Sequence, residues 1–152
     1  MSEANRELIR RLYRALDQRD GATMAACYHP NATFVDPVFD LRGADVGKMW
    51  RMLTSRATDL RCESSDVEAD AERGSARWVA RYTFSGTGRL VENRIASRYR
   101  FRDGLISEQV DTFPFWRWAS QALGPVGLLL GWTPLVREKV RRQARVNLDR
   151  FV

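Results

Sequence analysis

The stretch Ala76-Arg77-Trp78-Val79-Ala80-Arg81-Tyr82-Thr83-Phe84 decides the fold. Trp78, Ala80, Tyr82 and Phe84 recur at every second position, with Arg77 and Arg81 between them. That period puts the large apolar side chains on one face of a strand and the cations on the other. The alternation returns in residues 94–102, where Ile95, Ser97, Tyr99 and Phe101 interleave with Arg94, Ala96, Arg98, Arg100 and Arg102. One face of the sheet is therefore buried and the other wet. Asp103-Gly104 follows, a pair favoured in two-residue hairpin turns because glycine accepts positive φ without steric cost. Leu105 to Phe113 then supplies a last strand. From Leu60 onward the chain reads as antiparallel strands joined by short turns.

Upstream the period changes to 3.6. Ser2 caps a helix with apolar positions Leu8, Ile9, Leu12, Ala15 and Leu16, which Asp20-Gly21 ends. A short helix from Ala22 to Tyr28 is expected to stop at His29-Pro30, since a residue before proline is pushed out of the helical region. Asn31 to Asp36 reads as a strand that Pro37 limits, and Gly43 opens a third helix whose stripe is Val46, Met49, Trp50 and Leu53. Beyond Pro114 the pattern is helical again. Thr133-Pro134 forms an N-cap and N1 pair for a last helix, with Leu135, Val136, Val140, Ala144, Leu148 and Phe151 along one side and arginines on the rest.

A chain of 152 residues, 44% hydrophobic and 29% charged, is sized and composed for one folded domain. Its net charge of +6 is mostly terminal: between Arg137 and Arg150 six basic residues face Glu138 and Asp149, which accounts for +4. With no nucleic-acid motif beside it, this run reads as a solvated helix face, and no nucleic-acid partner is expected. Cys27 and Cys62 form no close pair and no apolar signal segment opens the chain, so a cytoplasmic location is expected. Glycines and prolines interrupt the apolar run from Ala122 to Val136, which argues against a membrane span. A single histidine and scattered carboxylates give no metal site. No cofactor is expected: Gly86-Thr87-Gly88 leads into no helix and so makes no phosphate loop.

The run Tyr28-His29-Pro30-Asn31-Ala32-Thr33-Phe34-Val35-Asp36-Pro37-Val38 resembles the ketosteroid isomerase segment that ends in Asp-Pro. Arg100-Phe101-Arg102-Asp103-Gly104-Leu105-Ile106 with the later Asp111 resembles the last strands of SnoaL-like proteins. Together with the element order, these residues resemble the nuclear transport factor 2-like superfamily over about residues 4 to 114. The resemblance implies an α+β fold: a strongly curved antiparallel sheet forming a cone closed by N-terminal helices, with an added C-terminal helical segment. Residues 1–114 would form the cone, and residues 115–152 a helical extension of the same domain. It further implies a mostly apolar cavity for a small apolar organic ligand, and a homodimer.

Within that frame Asp36 matches the general base of the ketosteroid isomerases. It reads equally as a strand-ending aspartate bonded to nearby backbone. Asp111 shares strand parity with Ser107, Gln109 and Phe113, and resembles an acid of the epoxide hydrolases; pairing with one of many arginines is its other reading. Two carboxylates facing one dry cavity would push their pKa values apart into an acid and a base. Trp50, Trp78, Tyr82, Ser97, Tyr99, Gln109, Phe113 and His29 are the expected ligand-contacting residues. The oxyanion-hole positions of the ketosteroid isomerases align with Leu12 and Ser97, and Tyr13, one residue off, is expected to rotate out of the pocket. The arginine-aspartate pair of the epoxide hydrolases has no counterpart at Ile95-Ala96-Ser97.

The expected function is thus a cofactor-independent enzyme of isomerase, cyclase or epoxide hydrolase type. Its alternatives are a non-catalytic binding protein using the same pocket, or a protein-interaction dimer. Phe115, Trp116, Trp118, Trp132 and Leu128-Leu129-Leu130 are expected to roof the cone or to bury a contact between copies.

Overall fold

The computed structural model describes residues 2–152. Helices α1 (Glu3–Asp17) and α2 (Gly21–Ala26) lead into strand β1 (Tyr28–Val35), then β2 (Asp40–Arg42) and helix α3 (Ala44–Arg56). Strands β3 (Arg61–Ala69), β4 (Arg73–Phe84), β5 (Arg89–Arg102) and β6 (Leu105–Thr112) follow. Helices α4 (Phe115–Leu123), α5 (Pro125–Leu130) and α6 (Pro134–Arg150) complete the chain. The six strands form one curved, unclosed sheet in the order β2-β1-β6-β5-β4-β3.

The period-2 stretches make the centre of that sheet. β4 and β5 pair antiparallel along their length, with Trp78 opposite Ile95 and Ala76 opposite Ser97. Trp78, Ala80, Ile95, Ser97 and Tyr99 face inward and are buried, while the arginines between them are exposed. Asp103 and Gly104 both take positive φ, as the tight turn from β5 to β6 requires.

The sheet is mixed rather than wholly antiparallel, because β1 runs parallel to β6, with Val35 beside Val110. The connection between them passes through β2, α3 and β3–β5, long enough to bring the chain back in the same direction. β1 also begins earlier than expected. Helix α2 ends at Ala26, and Tyr28 already pairs with Ile106. Pro30 is tolerated there because the ladder is irregular between Tyr28 and Thr33, where a missing N–H breaks no regular bond.

Ser2 caps α1 by accepting from the Asn5 N–H at 3.1 Å. The helix packs Leu8, Ile9, Leu12, Tyr13 and Leu16 onto the inner face of the sheet, with Val46, Met49 and Trp50 of α3 beside them. A second, smaller core lies under the tail: Phe115, Trp118, Ala119 and Ala122 of α4 pack on Val91 and on Val136 of α6. Val38, Tyr82 and Phe113 touch both cores and mark the rim where they meet. Gly127 lets α5 cross α4 at close range, since a Cβ there would stand 1.8 Å from the Ala119 carbonyl oxygen. Along α6 only part of the expected stripe is covered. Val136 and Leu148 are buried, but Leu135, in the first turn, faces solvent.

Candidate active site

Asp36 and Asp111 follow the ends of two neighbouring strands, near enough that the charge of Asp36 acts on Asp111. Each lies one residue beyond the register pair Val35 and Val110 of the parallel β1–β6 ladder, and each follows the parity of an inward residue, Phe34 and Gln109. A parallel pair carries both chain ends to the same edge of the sheet, so two distant segments deliver their acids to one place.

Asp111 is buried at 4% exposure. Its Oδ1 accepts from the Ser97 hydroxyl at 2.5 Å and from Gln109 Nε2 at 2.9 Å, whereas Oδ2 takes no hydrogen bond among the described residues. Asp36 is arranged alike: its Oδ1 accepts the backbone N–H groups of Val38 and Phe39 at 2.7 and 2.6 Å, and its Oδ2 takes none among the described residues. The local backbone turn and the acid near a neighbouring strand are therefore both true of Asp36. Each carboxylate is fixed through one oxygen and keeps the other open.

Two donor chains converge on Asp111. Ser97 Oγ accepts from Trp78 Nε1 at 2.8 Å and from the Tyr13 hydroxyl at 3.3 Å, so its own hydrogen goes to Asp111. Tyr13, having given its hydrogen to Ser97, accepts from the bonded Tyr99 hydroxyl. On the other side Trp50 Nε1 donates to the Tyr28 hydroxyl at 2.9 Å, which donates to Gln109 Oε1 at 2.5 Å, and Gln109 passes its amide hydrogen to Asp111. Burial raises the phenols of Tyr13, Tyr28 and Tyr99 well above the ordinary tyrosine value, so all remain protonated donors.

The carboxyls are pushed the same way. Burial lifts Asp111 to about 7 against the opposing bonds from Ser97 and Gln109, and the nearby Asp36 charge adds to the rise. Burial lifts Asp36 to about 6, with the Phe39 and Val38 N–H groups and the Arg141 charge acting against it. Both acids therefore titrate near neutrality.

On the bonded side of Asp111 the interior is packed rather than hollow. Tyr13, Tyr28, Trp50, Trp78 and Tyr99 fill the space around the bonded side of Asp111, because each hydroxyl and indole N–H finds a partner in the same network. A groove of 880 Å³ is lined by Arg98, Tyr99, Arg100 and Glu108 among others, and one of 510 Å³ by Arg77, Trp78, Arg94 and Phe113, and neither acid lines them.

Trp50, Trp78, Ser97, Tyr99 and Gln109 are brought to Asp111 as network members. Tyr82 and Phe113 stand at the rim; the Tyr82 hydroxyl accepts from Trp118 Nε1 at 2.9 Å and feels the Asp36 charge. His29 is not brought in. It lies at the start of β1, where Nδ1 accepts from the Asn31 N–H and Nε2 stands 3.4 Å from Asp103 at the β5–β6 turn, the far end of β6 from Asp111. Tyr13 reverses its expectation: it is buried and bonded to Ser97 and Tyr99. Its spacing of four from Ile9 and three from Leu16 puts it on the α1 stripe, a signal outweighed by the alignment to Leu12. Tyr28 is the other residue missed, as it falls in a segment read as helix end. Among the described residues no group of acids, cysteines and histidine is placed to hold a metal ion.

Over the rim, α6 reaches down with Arg141, whose Nε donates to the Pro37 carbonyl at 2.8 Å, and with Arg145, which pairs with Asp45 at 3.1 Å. Helix α6 thus reaches over the Asp36 turn, and Phe115 and Trp118 pack inward, whereas Trp116, Trp132 and Leu128–Leu130, expected to roof the cone or bury a contact, stay exposed.

Residues 9–109 match the SnoaL-like domain. Among solved structures, AclR of Streptomyces galilaeus, provisionally described as a hydroxylase, superimposes with a TM-score of 0.64 at 23% identity over 88% of this chain and 100% of its own. IdmH of Streptomyces antibioticus, provisionally described as a polyketide cyclase, gives 0.63 at 23% identity over 79% and 98%. A Catenulispora acidiphila protein with a ketosteroid isomerase-like fold, solved with trimethylamine, gives 0.69 at 14% identity over 84% and 98%. At these identities the likeness speaks for the fold. No curated protein matches the chain.

Proposed function

This chain belongs to the SnoaL-like domain family, and on that footing we propose that it transforms a small apolar carbonyl, enol or epoxide compound by acid–base work of Asp36 and Asp111. The paired carboxylates, each anchored through Oδ1 and open at Oδ2, carry this reading. Of two interacting acids the one with the higher pKa keeps its proton. Asp111, at about 7, is the acid and holds its proton on Oδ2, toward the substrate oxygen. Asp36, at about 6, is the base that accepts a proton from carbon or water. Tyr13, Tyr99, Ser97 and Gln109 hold Asp111 in place and adjust its acidity. Substrate meets the acids at the rim of Val38, Tyr82 and Phe113, beneath α4 and α6.

The test uses proton exchange, which needs no knowledge of the natural substrate. Cyclic enones and β-diketones in deuterated water, followed by proton NMR, should lose their acidic C–H signals faster with the protein than without it. Asp36→Asn should abolish that gain while the fold survives. Failure of every probe to exchange, or equal exchange by the variant, overturns the assignment. A second reading, ligand binding without turnover, draws on the Tyr13 and Tyr99 hydroxyls being committed to each other and to Ser97. Recovery of a bound ligand unchanged after long incubation would favour it.

A further inference from the structure

Most of the exposed large apolar side chains among the described residues lie on the tail. Leu129, Trp132 and Leu135 are 68%, 70% and 79% exposed, and Trp116, Val126, Leu128 and Leu130 are exposed with them. These residues form one ridge: Trp116 Nε1 donates to the Leu128 carbonyl at 3.1 Å, and Trp132 Nε1 to the Leu129 carbonyl at 3.0 Å. The indoles are thereby fixed against α5 with their rings turned outward.

The ridge is rimmed by cations. Between Asp111 and Glu138 the sequence has no acidic residue. Arg117 flanks Trp116, and Arg137 stands over the Phe115 ring at 5.3 Å. Lys139 and Arg142 of α6 are exposed farther along the same tail. Leucines on a short helix with tryptophans on the helix and turn beside it, bordered by arginine and lysine, have the chemistry of a segment lying in the headgroup zone of a membrane.

We propose that the α5 ridge seats this protein on the surface of an anionic lipid bilayer. Charge complementarity favours lipid over a second copy. A two-fold contact would set this patch against itself and oppose its arginine rim with an identical one, which like-charge repulsion disfavours. Phosphate headgroups neutralise the same rim while the acyl boundary takes up Leu129, Trp132 and Leu135. No helix among the described residues is long and apolar enough to cross a membrane, and surface seating requires none. The opposite side of α4 carries Trp118 against Tyr82, so the lipid-facing ridge and the rim of the candidate site share a helix.

Cosedimentation of the full chain with phosphatidylcholine vesicles, with and without phosphatidylglycerol, tests this. The protein should pellet with the anionic vesicles and be released by high salt. Leu129→Ser with Trp132→Ser should weaken partitioning by at least about tenfold, since each removes an apolar side chain from the lipid boundary. The circular dichroism spectrum and melting temperature should stay unchanged, because both side chains are exposed. Lys139→Glu with Arg142→Glu should reduce binding to anionic vesicles alone. Absence of binding to anionic vesicles, or binding that the Leu129 and Trp132 variant retains, overturns the proposal. So does ridge-dependent self-association in sedimentation with no vesicle binding.

Discussion

The Ser97 hydroxyl donates to Asp111 Oδ1 at 2.5 Å while two donors, Trp78 Nε1 and the Tyr13 hydroxyl, occupy its lone pairs. Ser97 therefore has one direction left for its hydrogen. That constraint ties helix α1, strand β4 and strand β5 to the carboxyl on β6. It also makes the acidity of Asp111 depend on residues that need not touch a substrate.

Ser97→Ala removes one stabilising bond from the Asp111 carboxylate and leaves the indole of Trp78 and the phenol of Tyr13 without their acceptor. Buried groups left unpaired cost about 1–3 kcal/mol each, so the melting temperature should fall clearly. The Asp111 pKa should rise further above its present value, read as the carbonyl stretch of the protonated acid by infrared titration. An unchanged titration would show that Ser97 does not govern this acid.

Stability should decline as pH rises through neutrality. Asp111 is raised in the fold from 3.8 to about 7, so the native state retains a proton that the unfolded chain has released. Its favourable contribution is complete below the unfolded pKa and is lost as pH climbs through about 7, a difference on the order of a few kcal/mol. Asp36, raised to about 6, acts in the same direction over a lower window. Denaturant unfolding of Asp111→Asn should show a flatter dependence between pH 5 and 8 than the parent chain, the interval in which about three fifths of the shift lies.

Turnover of any responding probe should be bell-shaped in pH. Ionised Asp36 and protonated Asp111 coexist most fully between their values of about 6 and about 7. Removing the Asp36 charge with Asp36→Asn should lower the Asp111 pKa, because that charge now helps to raise it. The asparagine oxygen can still accept from Val38 and Phe39, so the turn should persist in circular dichroism.

Tyr13→Phe keeps the ring on the core face of α1 and deletes only the link between Tyr99 and Ser97. A cost of about 1 kcal/mol is expected on urea unfolding. If the network tunes the acid, exchange activity should fall while the affinity for a bound probe stays nearly constant. An equal loss of both would mean that Tyr13 serves packing.

Gly127→Ala should detach α5 from α4. The new Cβ would meet the Ala119 carbonyl oxygen at 1.8 Å, and backbone on both sides leaves no flexible group to yield. Overpacking of this kind typically costs about 1–3 kcal/mol. Hydrogen exchange should report it first in α4 and α5, with α1 and the β4–β5 centre still protected.

Much of the fold was legible because its signals are local. The Trp78 and Tyr99 stretches alternate over enough residues that only a strand with one wet face satisfies them, and Asp103-Gly104 marks its own turn. Asp111 was legible too, through its parity with Gln109 and Phe113. Tyr13 lies on the buried stripe set by its spacing from Ile9 and Leu16, which the resemblance to Leu12 obscures. The junction position of His29 before Pro30 does not reveal that the strand it starts carries it away from Asp111.

Period, capping and turn chemistry are written residue by residue, so the central strands β4 and β5, the helices α1 and α3 and their apolar faces are legible in the chain alone. That β1 runs parallel to β6, which carries Asp36 and Asp111 to one edge and His29 to the opposite end, arises only on folding. So does the hydrogen-bonded aromatic network that packs around Asp111. The physical reason is common to both: strand direction and the partner of a buried hydroxyl are set by contacts between segments distant in sequence, and no local pattern of residues encodes them.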